Sequence, residues 1–250
     1  MSDFIVVIPA RYASARLPGK PLRLIAGQPM IQHVHGIASQ SDASEVWIAT
    51  DDKRIQETAA AFGANVCMTS PHHQSGTDRL AEVCKLQSWS DEQVVVNLQG
   101  DEPLLPPVLI NECAALLEDE SVGVGTLASP LESKEEFQNP NIVKIVTDMK
   151  DNALYFSRAQ IPFLRDEHAD DAVSSLSLQH HGIYAYRHKV LRQLTEAGPC
   201  ELEQCERLEQ LRALWLGITL RVGIASQRPG SGVDNEKDLA AVNAIMEGKG

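Results

Sequence analysis

The sequence predicts an α/β fold, doubly wound around a mostly parallel sheet in a nucleotidyltransferase-like, Rossmann-like arrangement, with a smaller antiparallel lobe in its later half. Three observations predict it. Short β-branched runs alternate with segments whose apolar residues recur near a spacing of 3.6, the pattern of βαβ units. These runs are almost continuously apolar, as strands buried on both faces are. After about residue 120 the alternation gives way to longer strand-like stretches.

Taken in order, the strands are FIVVIPA (4–10), EVWIAT (45–50), ANVCMT (64–69) and QVVVNLQG (93–100). Helices are expected over Pro29–Gln40, Lys53–Phe62, Asp78–Leu86 and Pro106–Leu117. Asp52 is placed to cap the second, and a Pro pair opens the fourth, where the missing N–H costs nothing. VGVGTLASPL and NIVKIVTDMKDNALYFSR then read as longer strands, followed by a polar loop and the strand HGIYAYR. Helices at Lys189–Ala197 and Glu201–Trp215, a strand ITLRVGIA (218–225) and a last helix Glu236–Met246 complete the chain. Neither a repeat nor a Pro/Gly-rich linker interrupts it, so its 250 residues are expected to form one domain.

A net charge of −12 opposes a phosphate-backbone binder, which needs a basic face, so nucleic acid is not expected as a partner. The five cysteines are scattered without a Cys-x-x-Cys pair, which points to reduced thiols rather than disulfides or zinc. The first residues run straight into a strand, and apolar stretches stay short of the ~20 residues that span a bilayer. A cytoplasmic protein with no membrane partner is expected.

The first strand runs into PARYASARLPGKPL, which gathers Arg11, Ser14, Arg16, Gly19 and Lys20 within ten residues. Ligands of doubly wound sheets bind at this carboxyl edge. Three cations there can neutralise a triphosphate, and a glycine lets backbone N–H groups come close. A merely solvated basic loop is the alternative, but such a concentration in an acidic chain favours a phosphate cradle. The loop is neither a Walker sequence nor a Gly-x-Gly-x-x-Gly fingerprint, which weakens a hydride-transferring dehydrogenase. The fourth strand ends at Asp101, at the same edge, where a carboxylate suits magnesium held jointly by protein and phosphates. Asp234, in SGVDNEKDL, is either the second metal ligand or the N-cap of the last helix.

Together the blocks PARYASARLPGKPL, ATDD, SGTDRLAE, NLQGDEP, YFSRAQIPF, HHGIYAYR, LEQLRALW and GVDNEKDL resemble, in order, the 3-deoxy-manno-octulosonate (Kdo) cytidylyltransferase family, the CMP-Kdo synthetases. The first and fourth recur in other nucleotidyltransferases; the later ones select the Kdo enzymes. The resemblance implies transfer of CMP from CTP to the anomeric hydroxyl of Kdo, with release of pyrophosphate, for lipopolysaccharide biosynthesis. It implies Arg11, Lys20, Asp101 and Asp234 as catalytic residues, with Asp101 and Asp234 holding Mg2+. Pro9, Ala10, Arg11, Ser14, Arg16, Lys20, Ser75, Gly76, Thr77, Arg79, Gln99 and Asp101 would bind the nucleotide. For Thr77 an ordinary helix N-cap is the competing reading.

The resemblance further implies Arg158 on the Kdo carboxylate, through its bidentate fork, and His180, Tyr184, Glu209 and Gln210 on the sugar. His180 and Tyr184 share one side of their strand because an even number of residues separates them. The nucleotide part would cover about 1–120, the sugar-binding and dimerisation lobe about 121–225, and the metal-ligand turn with its helix 226–250, in a homodimer. This chain departs from the pattern at Gln179, where a basic residue is expected, and at Ser231, where proline is usual. The loop 165–178 matches no firm pattern and is assigned only closure over substrate. The alternatives are a cytidylyltransferase for another acidic sugar, such as 8-amino-Kdo or a sialic acid, and a non-catalytic nucleotide-binding module.

Overall fold

The structure, a computed structural model, describes residues 3–14, 16–73, 75–165 and 176–248. The expected first half is present as β1 (Phe4–Ala10), the short pair β2 (Leu24–Ile25) and β3 (Gln28–Pro29), α1 (Met30–Ala38), β4 (Glu45–Thr50), α2 (Lys53–Ala61), β5 (Asn65–Met68), α3 (Gly76–Leu86), β6 (Val94–Asn97) and α4 (Val108–Ala115). The second half supplies β7 (Val124–Pro130), α5 (Lys134–Gln138), β8 (Lys144–Thr147), β9 (Ala153–Ser157), β10 (Leu178–Arg187), α6 (His188–Ala197), α7 (Glu201–Glu206), α8 (Leu211–Trp215), β11 (Leu220–Ile224) and α9 (Glu236–Met246).

The sheet order is β11-β7-β10-β6-β1-β4-β5. Strands β6, β1, β4 and β5 pair in parallel, and so do β7 and β11; β10 runs antiparallel between β6 and β7. The later strands therefore extend the central sheet, and the antiparallel lobe reduces to β8 and β9 hanging from the start of β10. The predicted stretch NIVKIVTDMKDNALYFSR is a hairpin rather than one strand. It folds back where Asp148 accepts from the backbone N–H groups of Lys150 and Asn152, with Asp151 at φ 59.

Burial on both faces explains the apolar runs. On β1, Val6 and Ile8 pack with Ile31 and Val34 of α1, Ile55 of α2 and Leu109 of α4. Ile5 and Val7 face the other way, toward Leu80 and Val83 of α3 and Leu191 of α6. After β5 the chain crosses back to the far side of β1 to make β6, so the winding reverses at β1 and opens a crevice at the carboxyl ends of β1 and β6.

The helix predicted over Glu201–Trp215 is broken at Arg207, which takes a left-handed conformation (φ 57, ψ 46). Tertiary bonds enforce the break. Arg212 clamps Glu203 bidentately at 2.6 and 2.8 Å, and Glu206 accepts from Ser157 Oγ at 2.6 Å and from the Arg158 N–H at 3.0 Å. Between these anchors the chain turns and presents Glu209 and Gln210 to the crevice. Among the described residues no helix is long and apolar enough to cross a membrane.

Candidate active site

Two cavities meet over the carboxyl ends of β1 and β6. The first, about 310 Å3, is lined by Arg11, Ser14, Arg16, Lys20, Gly100, Asp101 and Asp234. The second, about 370 Å3, is lined by Ser75, Gly76, Thr77, Arg79, Asn97, His180, Tyr184, Tyr186, Glu209 and Gln210. Pro9, Ala10, Arg11 and Gln99 belong to both, so they form the sill between them.

In the first cavity the β1 loop is bent into shape by Gly19, at φ 68, whose N–H donates to Tyr12 O at 3.1 Å. A Cβ there would lie 3.1 Å from the Tyr12 ring, so glycine is needed both for the dihedral and for the space. Lys20 follows at once in a short 3-10 turn (Lys20–Leu22). Its ammonium donates to Asp101 Oδ2 at 2.5 Å, Val233 O at 2.7 Å and Asp234 Oδ1 at 3.2 Å, while Arg16 reaches Asp234 Oδ1 at 3.0 Å. Two carboxylates from positions far apart in the chain thus converge on one cation position.

The alternative role for Asp234 belongs to its neighbour: Asn235 caps α9, accepting from the N–H groups of Lys237 and Asp238, which leaves the Asp234 carboxylate to the cavity. The same holds at α3. Ser75 is the N-cap, in a reciprocal box with Asp78, and Thr77 instead donates to Glu209 Oε2 at 3.0 Å.

These hard oxygen donors fit magnesium. Among the described residues no trio of His, Cys, Asp or Glu forms a metal cluster, and magnesium needs only one or two carboxylates when phosphates complete its shell. Glu102, next to Asp101, adds little negative charge of its own: burial pushes its carboxyl up to about 8, with Asp101 and Asp234 adding to the rise and Lys20 opposing it, so near neutrality it is mostly protonated. The backbone of Gly232 leaves room for it, since a Cβ there would sit 2.7 Å from Glu102 Oε1.

The second cavity is walled by aromatic rings and buried polar groups. His180 and Tyr184 do share a side, with ring centroids 5.2 Å apart, although β10 bulges between His181 and Tyr184. Thr126 Oγ1 lies 2.7 Å from Ile183 O and satisfies a carbonyl that the bulge frees. Burial pushes the His180 imidazole down to about 3, so it is neutral at ordinary pH, and raises the Tyr184 phenol. The protein packed around the Glu209 carboxyl raises it as well, although part of that side chain stays open to the cavity. Arg79, buried, is held by Thr69 and, at 3.1 Å, by Asp51.

Against known proteins, the cytidylyltransferase family model matches residues 5–220. A 3-deoxy-manno-octulosonate cytidylyltransferase of Actinobacillus pleuropneumoniae serotype 5b (strain L20) is 53% identical over 248 residues, 98% of this chain and 99% of that one. The chain belongs to the Kdo cytidylyltransferase family. A second relative of that name, from Haemophilus ducreyi, is 52% identical over 247 residues, 97% of this chain and 98% of that one. The solved structure of a CMP:2-keto-3-deoxy-manno-octonic acid synthetase complexed with CTP superposes with a TM-score of 0.91 at 42% identity, covering 99% of this chain and 100% of that one.

On this cytidylyltransferase, every residue expected to bind nucleotide lines one of the two cavities, as do His180, Tyr184, Glu209 and Gln210. Arg158 is set apart. It lines neither cavity, and its guanidinium donates to Glu206 O at 2.9 Å and Pro140 O at 3.2 Å, so it braces the end of α7 from behind. The guanidiniums that do line the larger cavity are Arg11, Arg79 and Arg207. The departures at Gln179 and Ser231 both line a third cavity, on the other side of Gln99, where Gln179 accepts from Arg228; a basic residue reaches that spot from elsewhere in the chain. Of the loop 165–178, residues 166–175 lie outside those described.

Asp51, Asn97 and Glu102 were not singled out by sequence reasoning. Asn97 carried a signal, as the one polar residue ending the run VVVN of a strand buried throughout. Glu102 stood next to Asp101 in the same motif.

Proposed function

We propose that this cytidylyltransferase transfers CMP from CTP to the anomeric hydroxyl of Kdo, releasing pyrophosphate, and that it works in the cytoplasm for lipopolysaccharide biosynthesis. One observation carries the reading: a cationic phosphate cavity with two carboxylates on its rim opens, across a sill of Pro9, Ala10, Arg11 and Gln99, into a cavity lined by His180, Tyr184, Glu209 and Gln210.

Arg11, Arg16 and Lys20 neutralise the triphosphate, and Arg16 and Lys20 stabilise the charge that grows on departing pyrophosphate. Asp101 and Asp234 hold Mg2+, which when bound polarises the α-phosphate and helps to orient the attacking hydroxyl. Ser75, Gly76, Thr77 and Arg79 read the nucleotide, with Arg79 fixed in advance by Asp51. The sugar rests on Tyr184, His180, Glu209 and Gln210. A histidine with a pKa near 3 is too weak a base to take the hydroxyl's proton, so His180 contributes contact and shape.

A homodimer is part of the proposal. Leu154 of β9, Trp215 at the end of α8 and Ile224 of β11 are each more than half exposed, and β9 packs against both of the other elements. Light scattering should return close to twice 27.4 kDa.

Incubation of the protein with CTP, Mg2+ and a panel of acidic sugars, followed by mass analysis, tests the function. CMP-Kdo as the main product is expected; preferential transfer to a sialic acid, or to no sugar, would overturn the reading.

A further inference from the structure

We infer that Asn97 is a recognition residue for the acceptor sugar, its side-chain carbonyl taking a hydrogen bond from a sugar hydroxyl while the Gln210 amide nitrogen donates to another oxygen of the same ligand. The inference rests on the reading of the larger cavity as the place where the sugar meets the base-reading residues. Asn97 is 3% exposed and, among the described residues, its Oδ1 has no partner; Gln210 is 9% exposed and its Nε2 has none among them either. Both residues line that cavity. Buried polar groups are almost always paired, so an orphan acceptor and an orphan donor on two residues that line one cavity mark where a ligand completes them.

The pair fixes the chemistry of that ligand. Oδ1 needs a donor, which an ionised phosphate oxygen is not, whereas a hydroxyl both donates and accepts and so serves either orphan. Asn97 ends β6 in register with Tyr184 of β10, on the wall that carries His180, and its amide nitrogen also comes within 3.9 Å of where a Gly76 Cβ would stand, so the residue sits where the sugar wall meets the base-reading segment Ser75–Thr77. Binding of CTP measured without sugar separates the two ligands. An asparagine in an otherwise all-valine buried strand weakens the strand's packing, and a contact made only with substrate explains its presence there.

Asn97→Leu tests this, because it replaces the amide by an apolar group of similar volume. Without ligand the variant should melt at the wild-type temperature or above, since an unpaired buried acceptor is removed. The KM for Kdo should rise about tenfold, whereas the Kd for CTP, measured calorimetrically without sugar, should stay within about twofold. Asn97→Ala, the smaller change, should show the same split and covers the case in which Leu crowds the cavity and the protein fails to fold. Loss of CTP affinity equal to the loss of sugar affinity would assign the atom to the nucleotide. A lower melting temperature with both affinities unchanged would make it structural. Either result overturns the inference, whereas wild-type protein that made no CMP-Kdo would instead overturn the reading of the cleft on which it rests.

Discussion

Lys20 lies 2.5 Å from Asp101 and 3.2 Å from Asp234, so one ammonium holds two carboxylates at the spot where phosphates and a divalent cation are proposed to assemble. Turnover should therefore vanish with EDTA and return with Mg2+. Asp101→Asn should cost about a hundredfold or more in kcat without unfolding the chain, on the scale of removing one electrostatic contact to a transition state; full activity of Asp101→Asn in EDTA would end the assignment. His181 allows a different test. Its ring bonds Ser129 Oγ at 2.7 Å, and burial, helped by Arg228, pushes its pKa from 6.5 down to about 4. The unfolded chain then binds the extra proton as pH falls below about 6.5, so folding stability from this group is intact near neutrality and drains away on acidification toward pH 4. Between pH 7 and pH 5 the wild type should lose about 2 kcal/mol more than His181→Gln, read from denaturant midpoints at the two pH values. Equal losses would show that His181 is not the group responsible.

At the scale of elements, the break at Arg207 is what turns a predicted helix into a site wall. Arg212 and Glu203, 5% and 7% exposed, form a buried pair that holds both sides of the break. Arg212→Leu leaves a buried carboxylate unpaired and should cost about 3–5 kcal/mol by chemical denaturation; a loss under about 1 kcal/mol would show that the pair does not hold the turn. What was legible in the sequence follows the same division. Strands of β1, β4, β5 and β6 were readable because near-continuous apolar runs have few other homes, and the Arg11–Lys20 loop because cations, a glycine and a strand end coincide. The break at Arg207 was not, since an arginine carries no local preference for positive φ and only long-range bonds impose it. For the same reason Arg158, read from its motif, lies behind α7: nothing local says that Glu206 O and Pro140 O take its guanidinium. Asp234 and Thr77 were ambiguous between capping and function; the caps are made by Asn235 and Ser75, which removes the capping reading and leaves both side chains on the cavities.

For the whole molecule, the reversal of winding at β1 sets two cavities side by side, and the antiparallel β10 lends the proposed sugar side to a sheet whose parallel strands build the proposed phosphate side. The central claim is that triphosphate and sugar are held on these two sides, which meet at Gln99. Calorimetry of CTP binding without sugar, run in parallel on Lys20→Ala and Glu209→Gln, tests it most directly. The account predicts that Lys20→Ala weakens CTP about tenfold or more, while Glu209→Gln leaves CTP affinity within about twofold and loses its activity through the sugar. A Glu209→Gln protein that loses CTP affinity as severely as Lys20→Ala would contradict it.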